Sequence, residues 1–174
     1  VHMESALNSS ANKETSYLVQ IYGSLGGIYH HLEMHAASDV AFEEALTHDS
    51  LDVYALNNYA YYLALRNDKL DRAIEMSTRA VEMQPNEATF EDTHAWVLYR
   101  KGKFQEALIW IRRALDNSDE PSATLLEHYG DILYRNGKVR DAVSQWKKAQ
   151  KFVSADDGTA MRLAEKVRSR TIVE

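Results

Sequence analysis

The stretch that decides the fold is Thr89–Leu115, TFEDTHAWVLYRKGKFQEALIWIRRAL. Val97, Leu98, Leu108, Ile111 and Leu115 recur at three- and four-residue spacings, the pattern of helices with one buried face. Lys101-Gly102-Lys103 interrupts that pattern. Gly tolerates the left-handed backbone that ends a helix, so the stretch reads as two antiparallel helices around a tight turn. Ala95, Ala107 and Ala114 stand where two helix backbones can approach closely.

The same arrangement returns along the chain. The small residue of the first helix aligns as Gly26, Ala60, Ala95 and Gly130, at intervals of 34, 35 and 35. Two further small columns, Ser38, Ala73, Ala107, Ala142 and Ala45, Ala80, Ala114, Ala149, keep spacings of 35, 34 and 35. Large residues fill the columns between: Phe42, Ser77, Ile111, Trp146; Leu25, Tyr59, His94, Tyr129; and Tyr29, Leu63, Leu98, Leu133. Three columns sharing one period mark a repeat array. Each hairpin buries one face internally and another against its neighbours, so no unit is stable alone.

The pattern resembles the tetratricopeptide repeat, a 34-residue helix–turn–helix unit. The resemblance implies an all-α fold, a right-handed α-solenoid, with repeats at 19–52, 53–87, 88–122 and 123–156. Residues 1–18 then form an N-terminal segment, frayed or tag-derived, since 5–15 (ALNSSANKETS) has weak periodicity. Residues 157–174 form a C-terminal capping helix, with Met161, Leu163, Ala164 and Val167 on an apolar side and Arg162, Lys166, Arg168 and Arg170 elsewhere. Nine helices and no strand are expected. Departures from the motif are Ser38 for Ala in repeat one, Ser77 for the aromatic in repeat two, an extra residue at Asn67-Asp68 and a longer exit at 117–122. Both prolines fall between repeats, where they end helices without breaking one.

In the resembled family the first helices line a concave groove. The matching positions are Gln20, Gly23, Gly27, His30 and His31 in repeat one, and Tyr54, Asn57, Tyr61 and Ala64 in repeat two. Repeat three offers Thr89, Asp92, Trp96, Tyr99 and Arg100, and repeat four Thr124, Glu127, Asp131, Tyr134 and Arg135. The partner-binding set read from this register is Tyr54, Asn57, Tyr61, Asp92, Trp96, Tyr99, Arg100, Glu127, Asp131, Tyr134 and Arg135. Aromatics and arginines suit a binding face because they bury much area and make directional contacts. Tyr61 and Trp96 equally suit packing against the next repeat. Gly23 and Gly27 supply little contact area, so binding is expected to centre on repeats two to four.

Some family members clamp a chaperone-tail carboxylate with Lys, Asn, Asn, Lys and Arg. From repeat one the matching positions here are Gly23, Gly27, Asn58, Thr89 and Thr93, and only Asn58 agrees; from repeat two they are Asn57, Tyr61, Thr93, Thr124 and His128, with no Lys or Arg. The clamp is excluded.

Composition sets the remaining bounds. Hydrophobic residues make up 45% of the 174, normal for a chain that buries a core, and there is no Cys to form a disulfide or thiolate site. No apolar run approaches the roughly 20 residues of a membrane-spanning helix, and no signal peptide is visible. The net charge of −6 is uneven: residues 1–87 carry 5 Lys/Arg against 13 Asp/Glu, a net of −8, and residues 88–174 carry 15 against 13, a net of +2. No basic stripe interleaved with aromatics points to nucleic acid. His30, His31, His35 and Glu33 are the one metal-like cluster, but the register puts a turn between His31 and His35, and Glu33 is misplaced for an HExxH zinc site. His94 falls in a core column and reads as a packed histidine. No serine sits in a nucleophile motif, and Gly26-Gly27 lies inside a helix rather than in a phosphate loop. No cofactor, metal or catalytic role is expected. The reading is a non-enzymatic adaptor that binds a peptide or protein. The alternative is a self-assembly module, part of a longer solenoid or a homodimer. LNNYAYYLA, DTHAWVLYRKGK and EHYGDILYRNGK are similar to repeat arrays of bacterial envelope-associated proteins, which implies a periplasmic or outer-membrane-associated setting, with the cytoplasm as the alternative.

Overall fold

The computed structural model describes residues 2–154 and 158–173, with side chains from residue 13. Among these residues there are nine α-helices, one 3₁₀ turn and no strand. The helices are α1 (His2–His31), α2 (His35–His48), α3 (Val53–Arg66), α4 (Leu70–Met83), α5 (Ala88–Arg100), α6 (Phe104–Asp116), α7 (Ala123–Arg135), α8 (Val139–Ala149) and α9 (Gly158–Ser169). A 3₁₀ turn, Gln150–Phe152, follows α8. Residues 1–83 and 84–174 form two compact units.

In the first unit, α1 pairs with α2 and α3 with α4. Glu33 takes the left-handed conformation after α1, and its N–H donates to the His30 carbonyl at 2.9 Å. His31 and His35 therefore lie on different helices, as the register required. The Asp52 carboxylate caps α3 by accepting from the Ala55 N–H at 2.7 Å, and left-handed Asn67 ends it. Phe42 is fully buried between the Tyr59 ring, 5.2 Å away and nearly parallel, and Gly26, where a Cβ would lie 2.5 Å from the Phe42 ring. Ser38 completes the contact by donating to the Gly26 carbonyl at 2.8 Å. The two hairpins are also joined by charge. Arg66 and Lys69 hold Asp39, and Arg72 holds Glu43.

One expectation is corrected here. Residues 5–15 lie within α1, which runs from His2. No Gly or Pro occurs between residues 2 and 22, and adding a residue to an existing helix is far easier than nucleating one, so the packed turns of α1 propagate toward the N-terminus.

In the second unit, α5 pairs with α6 and α7 with α8, and α6 joins the two hairpins by packing on α7. Gly102 and Gly137 adopt left-handed backbone at the hairpin turns. Ala95, Ala107, Ile111 and Ala114 are fully buried along the first hairpin. Gly130 faces Trp146 so closely that any Cβ would collide with the indole. Asn136 ties the hairpins together, donating to the Phe104 carbonyl at 2.9 Å and the Ile132 carbonyl at 2.8 Å. Glu91 is fully buried, paired with Arg113 at 2.9 Å and accepting from Asn117 at 2.7 Å. Helix α9 packs on α8, and its Leu163 is fully buried.

Candidate interaction faces

In the first unit the predicted residues lie on α3 and divide by exposure. Tyr54 projects into solvent. Asn57 is buried, its amide N–H donating to the Asn58 side chain at 3.2 Å and its own oxygen without a partner. Tyr61 is half-buried beside Tyr62, 5.9 Å between ring centres. His30, from the neighbouring α1, stacks on Tyr62 at 4.0 Å. Burial, and then the positive field of Arg66, lower its pKa. Among the described residues no group of His, Asp or Glu has the placement to hold a metal ion.

The face of the second unit is built around a stack of three rings. Trp96 lies between Tyr99, 4.7 Å away, and His128, 4.0 Å away, with interplanar angles of 15° and 13°. The His128 Nδ1 lies 2.8 Å from an Asp92 carboxylate oxygen, which fixes the ring against the indole. Phe104 closes the far side of Tyr99 at 5.6 Å. The Arg100 guanidinium lies 6.0 Å from the Trp96 ring, and that of Arg135 5.9 Å from Phe104. Burial pushes the Tyr99 hydroxyl pKa up, opposed by a hydrogen bond from Arg135. The sequence thus placed Asp92, Trp96, Tyr99, Arg100 and Arg135 in one neighbourhood of this unit. It did not assign His128, which completes the stack, because nothing in a one-residue offset from the groove register marks a ring as a cross-repeat partner. Trp96 is only 8% exposed. With Tyr99 and His128 also buried, it belongs to the packed backing of the face, and its indole N–H is buried without a partner.

Glu127, Asp131 and Tyr134 meet α9 and the residues after it instead of an open groove. Arg162 donates through Nε and Nη2 to the two Glu127 oxygens at 2.8 and 2.9 Å. The Lys166 ammonium donates to Glu127 at 2.8 Å and to both Asp131 oxygens at 2.9 and 2.8 Å. Trp146 Nε1 donates to Asp131 at 2.9 Å, and the Tyr134 and Thr171 hydroxyls are 2.9 Å apart. Burial alone would raise the Glu127 pKa; the Arg162 hydrogen bonds and Lys166 outweigh it and bring the carboxyl down to about 2. Asp131, more deeply buried and served by a single ammonium, is raised by burial against the pull of Lys166. These carboxylates are acceptors already filled by the chain's own cations. Their place in the family groove is occupied because two buried acids need compensating charge.

A family model described as tetratricopeptide repeat matches residues 63–120 and 93–158. A TPR repeat-containing protein of Pseudomonas aeruginosa is 31% identical over 77 residues, 44% of this chain and 13% of that protein, so the match spans a small part of the relative's length. Among solved structures, PilW, a widely conserved type IV pilus biogenesis factor, has a TM-score of 0.73 at 17% identity, covering 97% of this chain and 81% of that one. PilF of Pseudomonas aeruginosa has a TM-score of 0.64 at 16% identity, covering 97% and 82%. At these identities the likeness bears on fold. Proteins of this kind bind peptides or proteins and are generally non-enzymatic, and no described helix is long and apolar enough to cross a membrane. The period, the hairpins and the family match agree, and the chain belongs to the tetratricopeptide repeat family.

Proposed function

We propose that this chain is a non-enzymatic scaffold that recognises a peptide or protein partner on its first-helix faces. The observation that carries the reading is the Tyr99–Trp96–His128 stack of the second unit, pinned by Asp92 and bordered by Arg100 and Arg135. The three rings are buried, so the stack serves as a rigid backing that holds two guanidiniums at its edge as directional donors. With Asp92 engaged by His128, the charged rim that remains is the two guanidiniums, which suits an extended or helical peptide that carries carboxylates. On α3 of the first unit, exposed Tyr54 and half-exposed Tyr61 offer a second contact. Glu127, Asp131 and Tyr134, engaged by α9 and Thr171, are not part of the proposed contact. PilW works in type IV pilus biogenesis, and that likeness supports an envelope-associated setting, with a cytoplasmic one as the alternative.

The test compares wild type with Arg100→Ala/Arg135→Ala and Tyr54→Ala/Tyr61→Ala in affinity capture from the source cells, quantified by mass spectrometry. Support is a protein retained by wild type and lost from a variant whose melting temperature is unchanged. An identical retained set for all three proteins overturns the reading. Cell fractionation tests the setting.

A further inference from the structure

The outward face of the α1–α2 hairpin is apolar and uncovered among the described residues. Tyr17, Ile21 and Ile28 on α1 and Val40 on α2 are exposed, Val40 by 62%. Two shallow grooves meet at Leu25 on this face. One, of about 390 Å³, runs along α1 past Tyr17, Ile21 and Ile28. The other, of about 480 Å³, lies between the two helices over Tyr29, Ala37, Val40 and Ala41. Contiguous exposed apolar surface of this kind marks an interaction site.

The surroundings of the face are acidic. Residues 1–52 hold one Lys and eight Asp/Glu, a net of −7. Asp39 and Glu43 are neutralised by Arg66, Lys69 and Arg72 of the next hairpin. Glu14, Glu33 and Glu44 remain exposed on this hairpin, and Glu44 lines the second groove.

The other end of the chain carries the complement. Residues 139–174 hold eight Lys/Arg and five Asp/Glu, a net of +3, of which Arg162 and Lys166 are taken up by Glu127 and Asp131 of α7, so the outward charge rests on α8 and its extension. Arg140, Lys147, Lys148 and Lys151 are exposed, at helical spacings that put them along one side of α8 and its 3₁₀ extension. Phe152 and Met161, 61% and 69% exposed, follow in the same terminal region.

We propose that the chain self-associates head to tail. The α1–α2 face of one copy receives the α8–α9 end of a second, with Phe152 and Met161 entering the apolar grooves and the lysines set against Glu14 and Glu44. Charge selects this pairing. Two α1–α2 faces brought together would oppose acid with acid, and two α8 faces base with base, each of which suppresses the contact. A head-to-tail contact is heterologous, so it leaves a free head and a free tail and continues into chains or a closed ring.

The experiment is light scattering on the full chain across a concentration series at low and high salt. Two variants are used, Ile28→Glu/Val40→Glu at the head and Lys147→Glu/Lys148→Glu at the tail. All four positions are exposed, and circular dichroism checks that both variants fold. The expected result for wild type is a mass that climbs beyond a dimer with concentration and falls with salt. Each variant alone stays monomeric, and an equimolar mixture of the two forms a dimer through the one intact interface and stops there. A wild type monomeric at every concentration overturns the proposal, as does a tail variant that still associates, which would mean head-to-head contact, or a mixture that stays monomeric. Binding of a synthetic Leu/Lys amphipathic helix by a monomeric wild type would assign the face to a different partner. Arg100→Ala/Arg135→Ala leaves self-association unchanged, so the result is independent of the partner-binding test.

Discussion

The Lys166 ammonium lies 2.8 Å from an Asp131 carboxylate oxygen, and Lys166 is only 2% exposed. It also lies 2.8 Å from Glu127, so one cation on α9 serves two buried acids on α7. Removing one member of such a group leaves charge buried without compensation, which costs far more than the group contributes when whole.

Lys166→Met is therefore expected to destabilise the second unit by about 3–5 kcal/mol. Combining it with Asp131→Asn should recover part of the loss, because the orphaned charge is then gone. Urea denaturation of the single and double variants measures both effects. An additive double variant would show that the two residues are not coupled.

Deleting residues 157–174 removes Arg162, Lys166 and Leu163 together. Glu127 and Asp131 lose their cations, and the apolar side of the last repeat meets water. The expected outcome is a lower melting temperature and poorer solubility. Unchanged thermal unfolding would mean that α9 does not contribute to the unit.

Trp96→Ala bears directly on the face. Read from the register alone, the substitution weakens partner binding by about 2 kcal/mol with little change in melting temperature. The structure revises the second half of that expectation. With 8% exposure and rings stacked on both sides, Trp96 is part of the packing, and its loss should cost about 3–5 kcal/mol of stability. Chemical denaturation decides, and a variant as stable as wild type would return Trp96 to the surface.

His94 sets an acid sensitivity. Burial against Trp110, 4.9 Å away ring to ring, lowers its pKa from 6.5 to about 4. The unfolded chain therefore binds the proton more readily than the folded one between these values. Stability is fully present above about pH 6.5 and falls as the pH drops toward 4, by up to about 3 kcal/mol for this one group. Denaturation midpoints at several pH values should show a shallower acid loss in His94→Phe than in wild type.

The repeat is legible in the order of residues alone. Small residues recurring every 34 or 35 positions require helices in close contact, and the break at 101–103 leaves a hairpin to make it. Gly26 and Gly130 could be read as close-approach positions because their column holds only Gly and Ala, and Phe42 and Trp146 fill the space a Cβ would need there. The C-terminal helix was legible as an element, but its faces were not: Met161, read onto the apolar side, is 69% exposed, and Lys166, read onto the polar side, is buried on Glu127 and Asp131. Which groove positions stay open depends on how the helices pack. Glu127 and Asp131 have the same standing in the register as Asp92, yet they are filled by residues 35 to 39 positions away. Trp96 and His128 face each other across two repeats. Periodicity reports which side of its own helix a residue occupies. It carries no information about which side chain arrives from another helix, and that arrival separates a free binding residue from a buried one.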